Sequence, residues 1–490
     1  MSAPVVLDAN GDVVLDANNK ATPDWQPGSS GAWQFLPDRE AEIELNTQSV
    51  YVNDSWQLND NWSFNIGFRY EDVKGESNGG IVTADTDRFV PRLGASYDLR
   101  GDGKYRFDLT FAQYAGKYSE SQFASNTTVG NPPGLLFIYV GAPGTGYDFA
   151  PSFDFNNELG FNYVTAAADD GTQNIFVADG LSSPVSEEIT LSAGMQLDRG
   201  GYIKAVYTQR EYSDFVEDFV NAADPVDVAV QGVPAGTFSR TVFDNSDLPV
   251  RDYSALQFIG RYRLSDNWTL DGSYTFQIEN EGNFEGEATN QPGNSSTIGD
   301  YPEILSPERH FPLGDLNDYA EHKLRLWTNY NLDWGRGGNL NVGGVMNFDS
   351  GRSRSSIDSI GVTGAQAAIL AAAGYVDAPS PIDTFFGPRG DLQFDDSLTF
   401  DLSLNYRLPI VRDFDVWLKA DIFNLLDDDT QIDGEFNVDG IFPTADNPNA
   451  PVDALGIPTT FSTPSNYGQG VSNADFIAPR EYQFTVGFAF

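Results

Sequence analysis

Large apolar residues alternate with polar or small ones over stretches of nine or more positions, and the pattern recurs along the whole chain. At the C-terminus Tyr482, Phe484, Val486, Phe488 and Phe490 interleave with Gln483, Thr485, Gly487 and Ala489. Successive side chains of a β-strand point to opposite faces, so each stretch reads as a strand with one greasy and one wet face. The same alternation occupies Trp62–Tyr70, Ile189–Leu197, Trp268–Ile278, Leu398–Leu408 and Phe414–Ile422, where Trp417 interrupts the polar row. Rougher versions near 47–58, 92–99, 105–114, 202–212, 256–264, 324–332 and 340–348 bring the expected count to about thirteen strands. A slip of one residue would turn Arg69, Asp271, Asp401 or Lys419 onto the apolar side, so register is strongly specified. Strands of about nine to eleven residues cross a bilayer when tilted by about 45°. Strands of a soluble sandwich, the alternative, usually run about five or six.

The connections supply an independent constraint. Long ones (72–88, 115–186, 213–254, 280–320, 349–396, 427–480) alternate with short ones: Asn59–Asn61, Arg100–Lys104, Asp198–Gly200, Ser265–Asn267, Asp333–Gly338 and Ile410–Asp413. Membrane barrels of the bacterial outer membrane have short turns on one side and long loops on the other, whereas a sandwich has no reason for that order. The expected fold is all-β: a transmembrane, antiparallel, up-and-down β-barrel. Trp62, Phe64, Ile66, Leu402, Leu404 and Phe488 are expected on the convex, lipid-facing surface. Arg69, Asp271, Asp401 and Lys419 are expected on the concave side.

The short turns are rich in Asn, Asp and Gly, residues that tolerate the positive φ angles of tight hairpins. Trp62, Tyr105, Tyr202, Trp268 and Trp334 stand at the turn-side ends of their strands. Tyr and Trp favour the membrane interface, with an apolar body and a hydrogen-bonding tip, so the five read as an interfacial girdle in contact with outer-membrane lipid. Strand-end aromatics over a protein core are the other reading.

Composition narrows the function. With 40% hydrophobic residues and a mean hydropathy of −0.34, no segment is apolar for long enough to form a membrane helix. Ala365–Val376 reads as a short helix within a long loop. The chain has no cysteine, hence no disulfide framework. A net charge of −43 argues against nucleic acid as a partner. Acid-rich loops such as Asp427-Asp428-Asp429 and Glu279–Glu287 either attract cations or form a solvated, self-repelling surface, and neither has the spacing of a calcium loop. The only histidines are His310 and His322, and no motif surrounds Ser306, Glu308 and His310. The expectation is a protein that is not an enzyme, without catalytic residues, metal site or cofactor. Tyr139, Tyr147, Phe149, Phe153 and Phe155 enrich the 115–186 loop in aromatics, for ligand contact or for packing the loop on itself. The ligand-binding residues are not readable.

Several motifs add a resemblance. Val50–Trp56 followed by Leu58–Tyr70 resembles barrel strands of TonB-dependent receptors, and Pro91–Tyr97 resembles the strand that follows. Ala420–Leu426 resembles the family's penultimate strand and Tyr482–Phe490 its last. Leu248–Tyr253 and Tyr301–Arg309 are similar to the Oar-like branch. The resemblance covers roughly 40–490 and rests on the order of these motifs. It implies an outer-membrane receptor for a scarce or large nutrient, in which Phe490 signals to the barrel-assembly machinery. The family's signal peptide, TonB-contacting box and plug are not visible here, so the TonB system is expected to act through an N-terminal region missing from this sequence. About thirteen strands of the family's roughly 22 are expected, an incomplete barrel. Counting strand directions back from the C-terminus makes 1–39 an extracellular loop segment and 40–490 the C-terminal part of the barrel. A passive porin or structural barrel, and a secreted β-rich surface adhesin, are the alternatives.

Overall fold

The computed structural model describes residues 3–9, 11–35, 43–77, 81–116, 134–147, 161–163, 175–230, 233–284, 306–373, 381–411 and 414–489. Its main element is a 14-stranded sheet. Thirteen of the strands form a meander in which each pairs antiparallel with its neighbour in sequence order. These are β1 (Ile43–Gln57), β2 (Trp62–Ser77), β3 (Ile81–Asp98), β4 (Tyr105–Ala115), β5 (Val185–Gln196), β6 (Tyr202–Ser213) and β7 (Arg251–Ser265). The series continues with β8 (Trp268–Gly282), β9 (His322–Asp333), β10 (Asn339–Asp349), β11 (Ser397–Val411), β12 (Phe414–Phe423) and β13 (Glu481–Ala489). The fourteenth strand is the two-residue Gly314–Asp315, on the end of β8. The thirteen expected strands are all present. No crossing connection of the Greek-key kind occurs among them.

Most strands are longer than the apolar alternation indicates. β2 has 16 residues and β3 has 18, because pairing continues past Tyr70 through polar partners such as Asp72↔Asp87 and Lys74↔Asp85. Backbone hydrogen bonding needs no apolar face, so a hairpin can extend into water beyond the band that the hydropathy pattern marks.

The short turns hold their shape in two ways. Gly101, Gly103, Arg199 and Gly200 take positive φ, at 72°, 77°, 58° and 75°. In Asn59–Asn61, by contrast, no residue does, against the expectation for that turn. There the Asn59 side-chain oxygen accepts from the Asn61 and Trp62 N–H groups, at 2.9 and 2.8 Å, and closes the turn itself.

Burial is concentrated in the long connections, not between sheets. Phe215 and Phe284 meet edge to face at 5.3 Å, with Tyr212, Leu248 and Phe311 packed around them. Leu181, Val216 and Phe243 form a second cluster. Both lie beside the hairpin Phe215–Val230 with Val233–Ser246, which occupies the β6–β7 connection and was not legible in the sequence. The segment before β1 also has partners: Gly31–Phe35 pairs with Gly134–Tyr139, and Asp24–Trp25 with Gly144–Thr145, both from the β4–β5 connection. Helix α1 (Pro307–His310) and helix α2 (Gly364–Ala373) sit in later loops, α2 where the short helix is expected.

The sheet is open. β1 and β13 are its edges, and after twelve antiparallel pairings they run in the same direction.

Candidate functional site

Register sorts the strand side chains into two faces, since directly opposed residues of an antiparallel pair share a face. One apolar row runs Tyr97, Phe107, Ala193, Ala205, Phe258, Tyr274 and Leu324. Trp62, Phe64, Ile66, Leu402, Leu404 and Phe488 belong to that face. Phe484 and Phe488 are 76% and 61% exposed. Arg69, Asp271, Asp401 and Lys419 fall on the other face.

That polar face carries a chain of ion pairs. Arg69 pairs with Glu71 and donates to Ser49 Oγ at 3.1 Å. Arg210 meets Glu188 at 2.5 Å, Arg261 meets Asp271 at 3.2 Å, and Lys419 meets Asp421 at 2.9 Å. Arg325 donates to both carboxylate oxygens of Asp349, at 2.8 and 2.7 Å.

At the short-turn end of β1–β6 the polar face forms a recess of about 600 Å³. Gln57, Ser63, Ser96, Arg106, Gln196 and Lys204 line it, around Asp108. Asp108 accepts from Ser96 Oγ (2.7 Å), Arg106 Nε (2.7 Å) and Ser192 Oγ (2.9 Å), with Lys204 Nζ at 3.7 Å. Gly194 on the same face leaves the recess open above this network. Acidic, basic and uncharged polar groups share the lining with the apolar side chains of Trp62, Met195 and Ile203.

The turn-side aromatics are placed as follows. Trp62 packs against Tyr97 at 4.6 Å, and Trp268 meets Tyr330 at 5.8 Å while its Nε1 donates to Thr328 Oγ1 at 2.8 Å. Trp334 lies 6.2 Å from Tyr406, and Tyr105 lies under the Arg100 guanidinium at 4.8 Å. Tyr202 departs from this set. The turn Asp198–Gly200 brings it opposite Gln196, and β7 brings Arg261 opposite it, so it belongs to the polar face and lines the recess. Phe490, like Phe149, Phe153 and Phe155, lies outside the described residues.

At the long-loop end, a row that the sequence did not reveal crosses five strands. Glu187, Glu211, Asp252, Glu281 and Asp315 stand opposite one another in turn. Only the register brings them together. Among the described residues no group of carboxylates or imidazoles is placed to hold a metal ion. His310 is buried in α1, within the β8–β9 connection, and His322 opens β9 with Nδ1 at 2.9 Å from Tyr274 Oη.

Residues 7–425 match the family model for the β-barrel of TonB dependent receptor-like proteins. The chain belongs to that family. TonB-dependent receptor barrels reside in the Gram-negative outer membrane and serve transport. No match to a curated protein was found. Among solved structures, the siderophore receptor PiuA from Acinetobacter baumannii is similar at 10% identity, covering 92% of this chain and 44% of its own, with a TM-score of 0.44. The ferric preacinetobactin receptor BauA from the same species gives 12%, 93%, 45% and 0.45. The ferripyoverdine receptor of Pseudomonas aeruginosa gives 12%, 93%, 40% and 0.44. This TonB-dependent receptor barrel thus spans less than half the length of each of these receptors.

Proposed function

We propose that this chain forms part of the wall of an outer-membrane receptor that takes up a scarce or large nutrient with energy from the TonB system. The family match over 7–425 carries the reading, and the charged polar face with its recess supports it as a passage wall. In this reading the polar face lines the lumen, the apolar face meets lipid, and 1–39 and the long loops lie outside the cell. Trp62, Tyr105, Trp268 and Trp334 form the interfacial girdle on the short-turn side, and Phe490 serves the barrel-assembly machinery. The motifs at 248–253 and 301–309 point to the Oar-like branch.

The test is uptake. The gene is deleted in the bacterium that carries it, and import of labelled metal chelates, cobalamin, oligosaccharides and peptides is compared with and without TonB. Loss of one import activity that also requires TonB is expected. Loss of a flux indifferent to TonB would leave the passive porin as the better reading.

A further inference from the structure

Two other long loops converge on α1, which lies in the β8–β9 connection. Arg309 donates through Nε to the Phe385 carbonyl (3.1 Å) in the β10–β11 loop and through Nη2 to the Pro458 carbonyl (2.9 Å) in the β12–β13 loop. Its guanidinium also lies over the Phe386 ring at 5.3 Å and 3.6 Å from Asp453. The β10–β11 loop holds the antiparallel pair Ile357–Ile360 with Ile382–Phe385, and Val438 of the β12–β13 loop donates to the Ile357 carbonyl at 2.9 Å.

His310 sits at this junction, 3% exposed. Its Nδ1 lies 3.0 Å from the Asp383 carbonyl and 3.3 Å from Thr384 Oγ1. A carbonyl oxygen only accepts, so Nδ1 carries the hydrogen and the neutral ring leaves Nε2 as a bare lone pair. Nε2 is buried and has no hydrogen-bond partner. A proton arriving there creates a buried cation whose new N–H meets no acceptor, which is strongly disfavoured. The charged groups around it are mixed: Glu308 and Arg309 on α1 itself, and Asp453 on the β12–β13 loop. Asp383 contributes its carbonyl from the strand packed on α1, and Arg389 in the same loop stacks on Phe385 at 4.4 Å. Burial pushes the imidazole below its ordinary value, the Asp383 hydrogen bond opposing and Arg309 reinforcing this.

We infer that His310 is a proton-sensitive latch, which holds α1 against the strand Ile382–Phe385 of the β10–β11 loop while neutral and releases it when Nε2 is protonated. A histidine whose folded-state value is depressed gives stability that is complete above the unfolded value, near pH 6.5, and declines as pH falls below it. Each unit of depression shifts the closed-to-open ratio by up to roughly tenfold. The latch is independent of which solute the barrel passes.

Hydrogen exchange on the full chain in detergent micelles tests it. Protection of Thr384 and Phe385, relative to intrinsic rates, is expected to fall by roughly tenfold between about pH 7.5 and about pH 5, while amides of β9 and β10 hold theirs. His310→Gln, which does not titrate in this range, is expected to abolish that step. The same step persisting in His310→Gln, or no step in the unmodified chain, would overturn the latch. Should His310→Gln misfold, the chain's two histidines provide a second route. His322→Gln leaves one imidazole, and its nitrogen resonances are expected to show a neutral Nδ1–H ring with a depressed pKa. An ordinary or raised value would refute the inference.

Discussion

The Trp417 indole packs against Gly487. The two are direct partners in the β12–β13 pair, and a Cβ built on Gly487 would overlap the indole. This accounts for the one aromatic that interrupts the polar row of Phe414–Ile422: it faces the polar side and covers a glycine there.

Gly487→Ala should therefore destabilise the edge pair. Backbone pairing fixes both residues, so the methyl group forces the indole off its position, at a cost of about 1–3 kcal/mol. Urea unfolding in micelles would measure it, and Trp417→Ala in the same background should restore most of the loss. No change in midpoint on Gly487→Ala would mean the indole has room elsewhere.

The faces themselves predict a contrast between neighbours in β11. Leu404→Arg should lower folding stability in lipid vesicles by about 2–4 kcal/mol if the site is near mid-depth, whereas Asn405→Arg should change it little. Equal losses for the two would show that the apolar face does not meet lipid. The turn-side tryptophans offer a second readout: bromine-labelled lipid should quench Trp62, Trp268 and Trp334 more than Trp327 or Trp417, which lie on the polar face.

Different kinds of signal in the sequence specify different parts of the fold. Strand identity and order were legible because side-chain alternation is written residue by residue, as in Leu398–Leu408. Strand ends were not, since polar pairs such as Lys74↔Asp85 extend the ladder without an apolar mark. Tyr202 shows the limit at a turn, where two residues at equivalent strand ends take opposite faces because register decides the phase. The loop junction at His310 and the acidic row join segments distant in sequence, and nothing local announces either.

That row, Glu187–Glu211–Asp252–Glu281–Asp315, places like charges directly opposite one another, which destabilises a sheet. Asp252→Asn, in the middle, should raise stability by about 0.2–1 kcal/mol at low salt. The gain should shrink as salt screens the neighbours. A gain that is unchanged at high salt would point to a cause other than charge.

The motif Ala420–Leu426 turns out of β12 through a hydrogen-bonded corner centred on Asn424. Asn424 takes a left-handed φ of 47° at the end of β12, and its Nδ2 donates to the Asp428 and Ala478 carbonyls at 2.8 and 2.9 Å. Its N–H donates to Asp401 Oδ1 at 2.7 Å, and the Asp428 N–H returns to Asn424 Oδ1 at 3.0 Å. The Asp428 carboxylate in turn accepts from the Leu398 N–H at 2.6 Å and from Thr430 Oγ1 at 2.5 Å, tying the start of β11 to the loop. Burial alone would raise the Asp428 value, but the bonds from Thr430 and Leu398 outweigh it and hold it below the usual carboxylate range. A depressed carboxylate gives stability that is present above its unfolded value, about pH 3.9, and lost as pH falls through the folded one. Exchange at the Leu398 amide should thus stay protected at neutral pH and accelerate, relative to intrinsic rates, in strong acid. Asp428→Asn, which cannot titrate, should weaken protection at neutral pH and flatten that acid dependence. An acid response equal to that of the unmodified chain would exclude Asp428 as its source.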